Sequence, residues 1–364
     1  MKLAIIINSL ATGGAEKLIV DTAPRFEEFG IQVDVILLNG TSHPLKKQLE
    51  QRLSGKVISL GNKSVYSPMH IFSLAKHIKQ YDMLHVHLFP ALYWVAIAKI
   101  LSSYKGRLLF TEHNISNRRF DKNWAKYIDR LIYKQYDRCI AITEPIRTII
   151  GDRFNILHKT CLIENGVDVK VVTDAIPYSD AEMNTWSIEN NKKLLIQVSA
   201  FRLQKDQITL IEAMKFLPSD VALLLVGEGE NYEKCRKKAN DINLESKVFF
   251  LGVRTDVPRL LKSADIIVLS SKYEGMSLSS IEGMASGRPF VASDVPGLSE
   301  IVAGAGVLFP QGDAKQLAKE INQLLDNQEY YNEVVEKCQE RAASFDISTM
   351  VHKHIDLYES IYQA

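Results

Sequence analysis

The sequence predicts an α/β protein of two Rossmann-like domains, each a doubly wound parallel sheet. Three observations carry this. A length of 364 residues suits two domains, at roughly 100–200 residues each. Short β-rich runs alternate with longer helical ones along the chain. The alternation is interrupted once, at the polar stretch Asp174–Asn191, which holds Pro177 and the pair Asn190-Asn191 and reads as a linker. Domains are therefore expected at 1–173 and 192–346, with 174–191 between them.

The elements follow in order. Lys2–Ser9 reads as a buried strand, Ala15–Phe29 as an amphipathic helix, and Ile31–Leu38 as the next strand. Further strands are expected at Met83–His87, Arg107–Thr111, Arg138–Ile142 and Thr160–Ile163, with helical patterns between them. Beyond the linker, strands are expected at Lys193–Ser199, Val221–Val226, Lys247–Phe250, Asp265–Ser270 and Pro289–Ala292. Helices begin near Asp206, Asn231, Asp256 and Ser277, and Ala314–Leu325, Tyr330–Ala343 and Ile347–Tyr362 are helical. Two such domains form a cleft, and ligands are expected at the carboxyl ends of the strands.

Composition narrows the function. Hydrophobic residues make up 46% and charged residues 24%, which excludes a disordered or collagen-like chain. A net charge of +1 argues against a nucleic-acid partner. The balance is uneven, because residues 1–180 carry the basic excess and 181–364 the acidic one. Cys139, Cys161, Cys235 and Cys338 form no C-x-x-C pair and read as reduced structural thiols in a cytoplasmic protein. The Leu88–Leu101 stretch carries Pro90 and Lys99 and falls short of a spanning helix, so any membrane contact is expected at the surface of the inner face.

The segment Glu274-Gly-Met-Ser-Leu-Ser-Ser-Ile-Glu282 sets two carboxylates across a strand–loop–helix junction. Backbone N–H groups near Ser277–Ser279 open the helix and suit an anion. One carboxylate can then accept from sugar hydroxyls while the other clamps a ribose diol. In isolation the pair would read as a capping acid and a solvated helix face. Ala264 to Ser277 and Ser286 to Asp294, however, together resemble the donor-site signature of retaining GT-B glycosyltransferases of family 4. Leu225-Val-Gly-Glu-Gly229, Phe250-Leu-Gly-Val253 with Asp256–Leu261, Asn165-Gly-Val-Asp168 and Gly13-Gly14-Ala-Glu16 are similar to family segments in family order.

The resemblance implies a GT-B fold of two facing Rossmann-like domains, with the last helix, 347–364, packing back on the first. It implies transfer from a UDP- or GDP-linked sugar to a hydroxyl of a glycan or lipid-linked acceptor, with anomeric configuration retained, in cell-surface polysaccharide or glycan assembly. Glu282 would hold the ribose and Glu274 the donor sugar. Gly275, Met276, Ser277 and Leu278 would meet the donor through their backbone, and Gly252, Val253 and Arg254 would line the base. Gly14 would lie under the diphosphate, and His113 would approach the sugar. Lys205 would stabilise the leaving diphosphate, whose oxygen takes the acceptor proton, so no separate base is required. The family's usual arginine position is Ala200 here, and Arg202 is the nearest arginine, either on the same phosphate or in solvent. An epimerase of the same architecture and a silent nucleotide-sugar binder remain the alternative readings.

No metal is expected, because the chain contains no Asp-x-Asp. His85-Val-His87 sets both rings on one face but shows no third ligand by spacing, so it reads as structural or acceptor-side. Arg118–Arg138 interleaves seven basic residues with Phe120, Trp124, Tyr127, Tyr133 and Tyr136. Such a stretch suits an anionic membrane interface, or else it is a solvated helix whose aromatics pack on the core.

Overall fold

A computed structural model of the chain describes residues 1–11, 13–113, 123–186, 188–189 and 192–363. Its contacts divide into two units, 1–166 with 347–364 and 167–346. Each is a parallel α/β layer structure.

In the first unit the strands are β1 (Lys2–Ile7), β2 (Gln32–Leu37), β3 (Val57–Ser59), β4 (Met83–His87), β5 (Arg107–Glu112), β6 (Arg138–Ala141) and β7 (Thr160–Leu162). Their order is β3-β2-β1-β4-β5-β6-β7, with every pairing parallel. The central strands are apolar on both faces because helices cover both. Leu3, Ile5 and Ile7 of β1 pack with Leu18, Ile19 and Phe26 of the helix Gly14–Glu28 and with Ile347, Val351, Ile355 and Tyr358 of the last helix, Ile347–Tyr362. That last helix groups with the first unit through this shared apolar core.

The second unit contains β8 (Lys193–Val198), β9 (Val221–Val226), β10 (Val248–Gly252), β11 (Ile266–Leu269), β12 (Phe290–Asp294) and β13 (Val307–Pro310). Their order is β10-β9-β8-β11-β12-β13, again all parallel. In both sheets the order reverses beside the first strand, between β1 and β4 and between β8 and β11. Those are the switch points where the strand ends stay open to ligands.

Residues expected to form the interdomain linker, and those assigned to the first domain after Gly166, group with the second unit. The helix Val169–Thr173 is capped by Asp168 and lies against the helices Val257–Ser263 and Leu278–Ala285. Ser179 and Glu182 form a capping box at the helix Asp180–Asn184, and Met183 and Ile188 are buried. Arg259 holds Glu182 at 3.1 and 3.2 Å and lies 3.8 Å over the Tyr178 ring. A polar segment is thus tied down by ion pairs and ring contacts, which composition does not reveal.

Candidate active site

In the second unit, Lys205 and Glu274 meet at the carboxyl ends of neighbouring strands. Lys205 ends a short 3₁₀ turn, Leu203–Lys205, after β8, and Glu274 lies in the loop after β11. The Lys205 ammonium donates to Glu274 Oε1 at 2.6 Å, and the Ser271 hydroxyl donates to the same oxygen at 2.5 Å. Glu274 is buried, so the pair is largely out of water. Removing one member of such a pair would strand a charge.

Several contacts hold the two loops together. The Lys272 N–H donates to the Gln204 carbonyl at 2.8 Å, and the Gln204 amide donates to the Tyr273 carbonyl at 2.8 Å. Beneath them lies a buried polar network. The Gln197 amide donates to the Ser199 hydroxyl and to the Lys205 carbonyl, each at 3.0 Å, and the Ser270 hydroxyl donates to Gln197 Oε1 at 2.9 Å. Gly297 closes the other side. At φ +85°, an added Cβ would lie 2.2 Å from the Glu274 carbonyl oxygen, so only glycine lets the two chains approach.

The helix Leu278–Ala285 starts at the extended Ser277, whose own side chain makes no capping hydrogen bond. Its first N–H groups have no partner within the helix and carry the positive end of its dipole. Gly275, Met276, Ser277 and Leu278 form the approach to this helix end, with Met276 and Ser277 buried. Glu282 is the fifth residue of the helix and half-buried. The arrangement places a cation, a buried carboxylate and a helix N-terminus on adjoining loops, a set suited to a sugar bearing a phosphate.

Other expected residues are placed less simply. Arg202 is exposed, and its guanidinium has no ion pair among the described residues. Gly252 has φ +64° with open space where a Cβ would be, and Val253 is exposed. The Arg254 guanidinium donates from Nε to Asp256 at 2.8 Å, meets the Tyr178 hydroxyl at 3.3 Å and lies 5.0 Å over the Trp186 ring. The same hydrogen bonds hold Asp256 below the usual carboxylate range and raise Arg254. Arg254 thereby links Tyr178 and Trp186 to the loop after β10.

In the first unit, Gly14 is exposed as the first residue of its helix, after the extended Gly13. His113 follows β5, and its Nε2 lies 3.0 Å from His87 Nδ1. Burial pushes His113 down to about 4, with His354 adding to the shift, and burial likewise holds His85 and His87 well below the ordinary histidine value. These rings are neutral at neutral pH. No group of three His, Cys, Asp or Glu residues among the described residues has the arrangement to hold a metal.

Sequence reasoning missed Gln197, Ser199, Ser270, Ser271 and Gly297. A polar Gln197 inside the apolar run Leu194–Val198, and the serine pair opening the Glu274 loop, were the available signals.

The four cysteines are free, with Cys161 half-buried and the others buried. No helix among the described residues is long and apolar enough to cross a membrane. Part of the basic-aromatic stretch, residues 118–122 and the Trp124 side chain, lies outside the described residues. The rest divides between two faces of the helix Asn123–Tyr133 and the turn after it. Asp129, Ile132, Tyr133 and Tyr136 are buried, while Lys126, Tyr127, Ile128, Arg130, Leu131 and Lys134 are exposed.

Two parallel sheets of this order, each with its open switch point, are those of the GT-B architecture. Known proteins agree. The Glycosyltransferase Family 4 model matches residues 12–171, and the Glycosyl transferases group 1 model matches 179–341. The chain belongs to this glycosyltransferase family. It is 26% identical over 355 residues to the UDP-Gal:alpha-D-GlcNAc-diphosphoundecaprenol alpha-1,3-galactosyltransferase of Escherichia coli, covering 90% of this chain and 89% of that protein. It is 26% identical over 293 residues to the N-acetyl-alpha-D-glucosaminyl L-malate synthase of Bacillus anthracis, covering 77% and 74%. Among solved structures, Anabaena Alr3699/HepE in complex with UDP and glucose superposes with a TM-score of 0.86 at 22% identity, over 99% of this chain and 100% of that one.

Proposed function

We propose that the enzyme transfers a sugar from a UDP-linked donor to a hydroxyl of a lipid-linked glycan acceptor, with retention of anomeric configuration and without a metal. The Lys205–Glu274 pair beside the helix end at Ser277 carries this reading. A lysine ammonium has three donors. With Glu274 holding one, the others serve the diphosphate oxygen as negative charge grows on it. Glu274 accepts from the donor sugar, Glu282 clamps the ribose, and the N–H groups from Gly275 to Leu278 hold the phosphate. Gly252 and Val253 lie against the base, Gly14 lies near the diphosphate, and His113 faces the reacting sugar. The departing diphosphate takes the acceptor proton, which spares the site a dedicated base.

The donor class is supported by the UDP-Gal named for the Escherichia coli relative and the UDP complex of the Anabaena protein. The acceptor class is supported by the diphosphoundecaprenol in the former name. The outward face of the helix Asn123–Tyr133 and of the turn after it suits an anionic lipid surface, because it sets Tyr127, Ile128 and Leu131 among Lys126, Arg130 and Lys134.

Turnover of a UDP-sugar panel with a diphosphoprenyl-sugar acceptor, in buffer containing EDTA, tests the reading. Lys205→Ala is expected to lower kcat by about 10²–10³, the scale of one transition-state donor. Wild-type turnover in a folded Lys205→Ala enzyme overturns the assignment, and a product of inverted anomeric configuration by NMR overturns retention.

A further inference from the structure

His113, itself half-buried, is the outer end of a row of rings whose inner members, His87 and His85, are buried. Its neighbour His87 lies on β4, with the two ring centres 5.3 Å apart. Two positions earlier on the same strand face, His85 lies 4.2 Å from His87, ring centre to ring centre. Both nitrogens of His85 are engaged. Its Nδ1 lies 2.6 Å from the Tyr358 hydroxyl of the last helix, and its Nε2 lies 2.7 Å from the Thr111 hydroxyl of β5. Side chains from three places in the sequence, β4, the end of β5 and the last helix, thus meet in one row, and its last hydrogen bond runs to His113.

The geometry at that bond is informative. His87 Nδ1 and His113 Nε2 point at each other across 3.0 Å. That is a hydrogen bond and not a shared metal site, where both nitrogens would point at a third atom. In a neutral imidazole one nitrogen donates and the other accepts. The contact therefore ties the proton position of one ring to that of the other, and it leaves Nδ1 as the His113 nitrogen available to a reactant.

We propose that His87 is a positioning residue, which sets the orientation and tautomer of His113 and is itself fixed through His85 by Tyr358 of the last helix. The proposal rests on the assignment of His113 to the reacting sugar, so the experiment separates the two. Two substitutions of His87 divide the chemistry from the packing. His87→Asn places an amide where Nδ1 lies and keeps the hydrogen bond. His87→Gln places it where Nε2 lies and loses the bond while keeping the volume.

In the full-length enzyme, His87→Gln is expected to lower kcat by about 10–100-fold, the scale of losing a partner that orients an imidazole, with donor KM within twofold of wild type. His87→Asn is expected to recover most of that loss. Adding His87→Gln to His113→Ala is expected to change kcat by less than about twofold, since the residue acts through His113. In ¹⁵N-histidine NMR spectra, His113 is expected as a single tautomer in wild type and His87→Asn, and as an averaged mixture in His87→Gln. Equal activity of the two His87 variants, or an unchanged His113 signal in His87→Gln, overturns the positioning role while leaving His113 in place. Wild-type turnover by His113→Ala overturns the assignment of His113, and the proposal with it.

Discussion

Mild acid is expected to destabilise the first domain through its buried histidines. A histidine whose native pKa lies below its unfolded value stays neutral in the fold, while the unfolded chain takes up a proton. Its contribution to stability is therefore complete above the unfolded value of about 6.5 and falls as pH drops toward the native value. Burial, with a smaller effect of His354, lowers His113 to about 4; burial, partly offset by the Met350 carbonyl, lowers His354 to about 4. Each then costs up to about 1.4 kcal/mol per pH unit within that window, or about 1.6 kcal/mol from pH 6.5 to 5. The two together cost about 3 kcal/mol, and His85 and His87 act in the same direction. Against a usual stability of about 5–15 kcal/mol, that is a large share. Trp186→Phe leaves Trp94 and Trp124 as the only tryptophans, both before Gly166, so their fluorescence follows the first domain. Urea unfolding at pH 6.5 and pH 5 gives the difference directly. His354→Leu in the same background is expected to remove about one proton from the pH slope. A loss below about 2 kcal/mol, or the same slope in His354→Leu, would refute the buried neutral row.

Two further predictions concern the second domain and the lipid surface. Gly297→Ala is expected to lower urea stability by about 1–3 kcal/mol, the cost of a strained backbone, and to lower turnover by displacing Glu274, whose carbonyl its Cβ would strike. Wild-type stability and rate would contradict the close approach. Lys126→Glu with Arg130→Glu is expected to release the enzyme from phosphatidylserine vesicles by at least about tenfold in sedimentation, at about 1 kcal/mol per basic residue. Equal binding of wild type to neutral and anionic vesicles would remove the lipid assignment.

Much of the fold was legible because its central strands are apolar on both faces. Met83–His87 is a strand over the expected span, and the helix expected at Ala15–Phe29 runs Gly14–Glu28. Two strands escaped notice for lack of length and pattern. Val57–Ser59 is three residues on the sheet edge and only partly buried, and Val307–Pro310 is four residues ending in proline. The segment 174–191 read as a linker because its anchors are Tyr178, Glu182 and Trp186, which bind through charge and ring contacts to Arg254 and Arg259. Lys205 and Glu274 were each legible from local motifs. Their ion pair joins residues 69 positions apart, and the hydrogen bond from Ser270 to Gln197 beneath them joins residues 73 apart, so neither pairing is local.

The same topological logic accounts for both groups of polar residues. At a switch point the loops after two adjacent strands leave in opposite directions, so the strand ends are not covered by their own connections. In the second sheet the switch lies between β8 and β11, and the loops after those strands carry Lys205 and Glu274. In the first it lies between β1 and β4; Gly13 and Gly14 follow β1, while His85 and His87 stand on β4. Polar side chains inside a sheet are costly unless hydrogen-bonded. His85 meets that condition through Thr111 on the neighbouring strand and Tyr358 from the end of the chain, and Gln197 meets it through Ser199, Ser270 and the Lys205 carbonyl. The buried networks are therefore supports for the loops that the topology leaves open. This is why substitutions one residue beneath a reacting group, at His87 or Gln197, are expected to alter rate before they alter the fold.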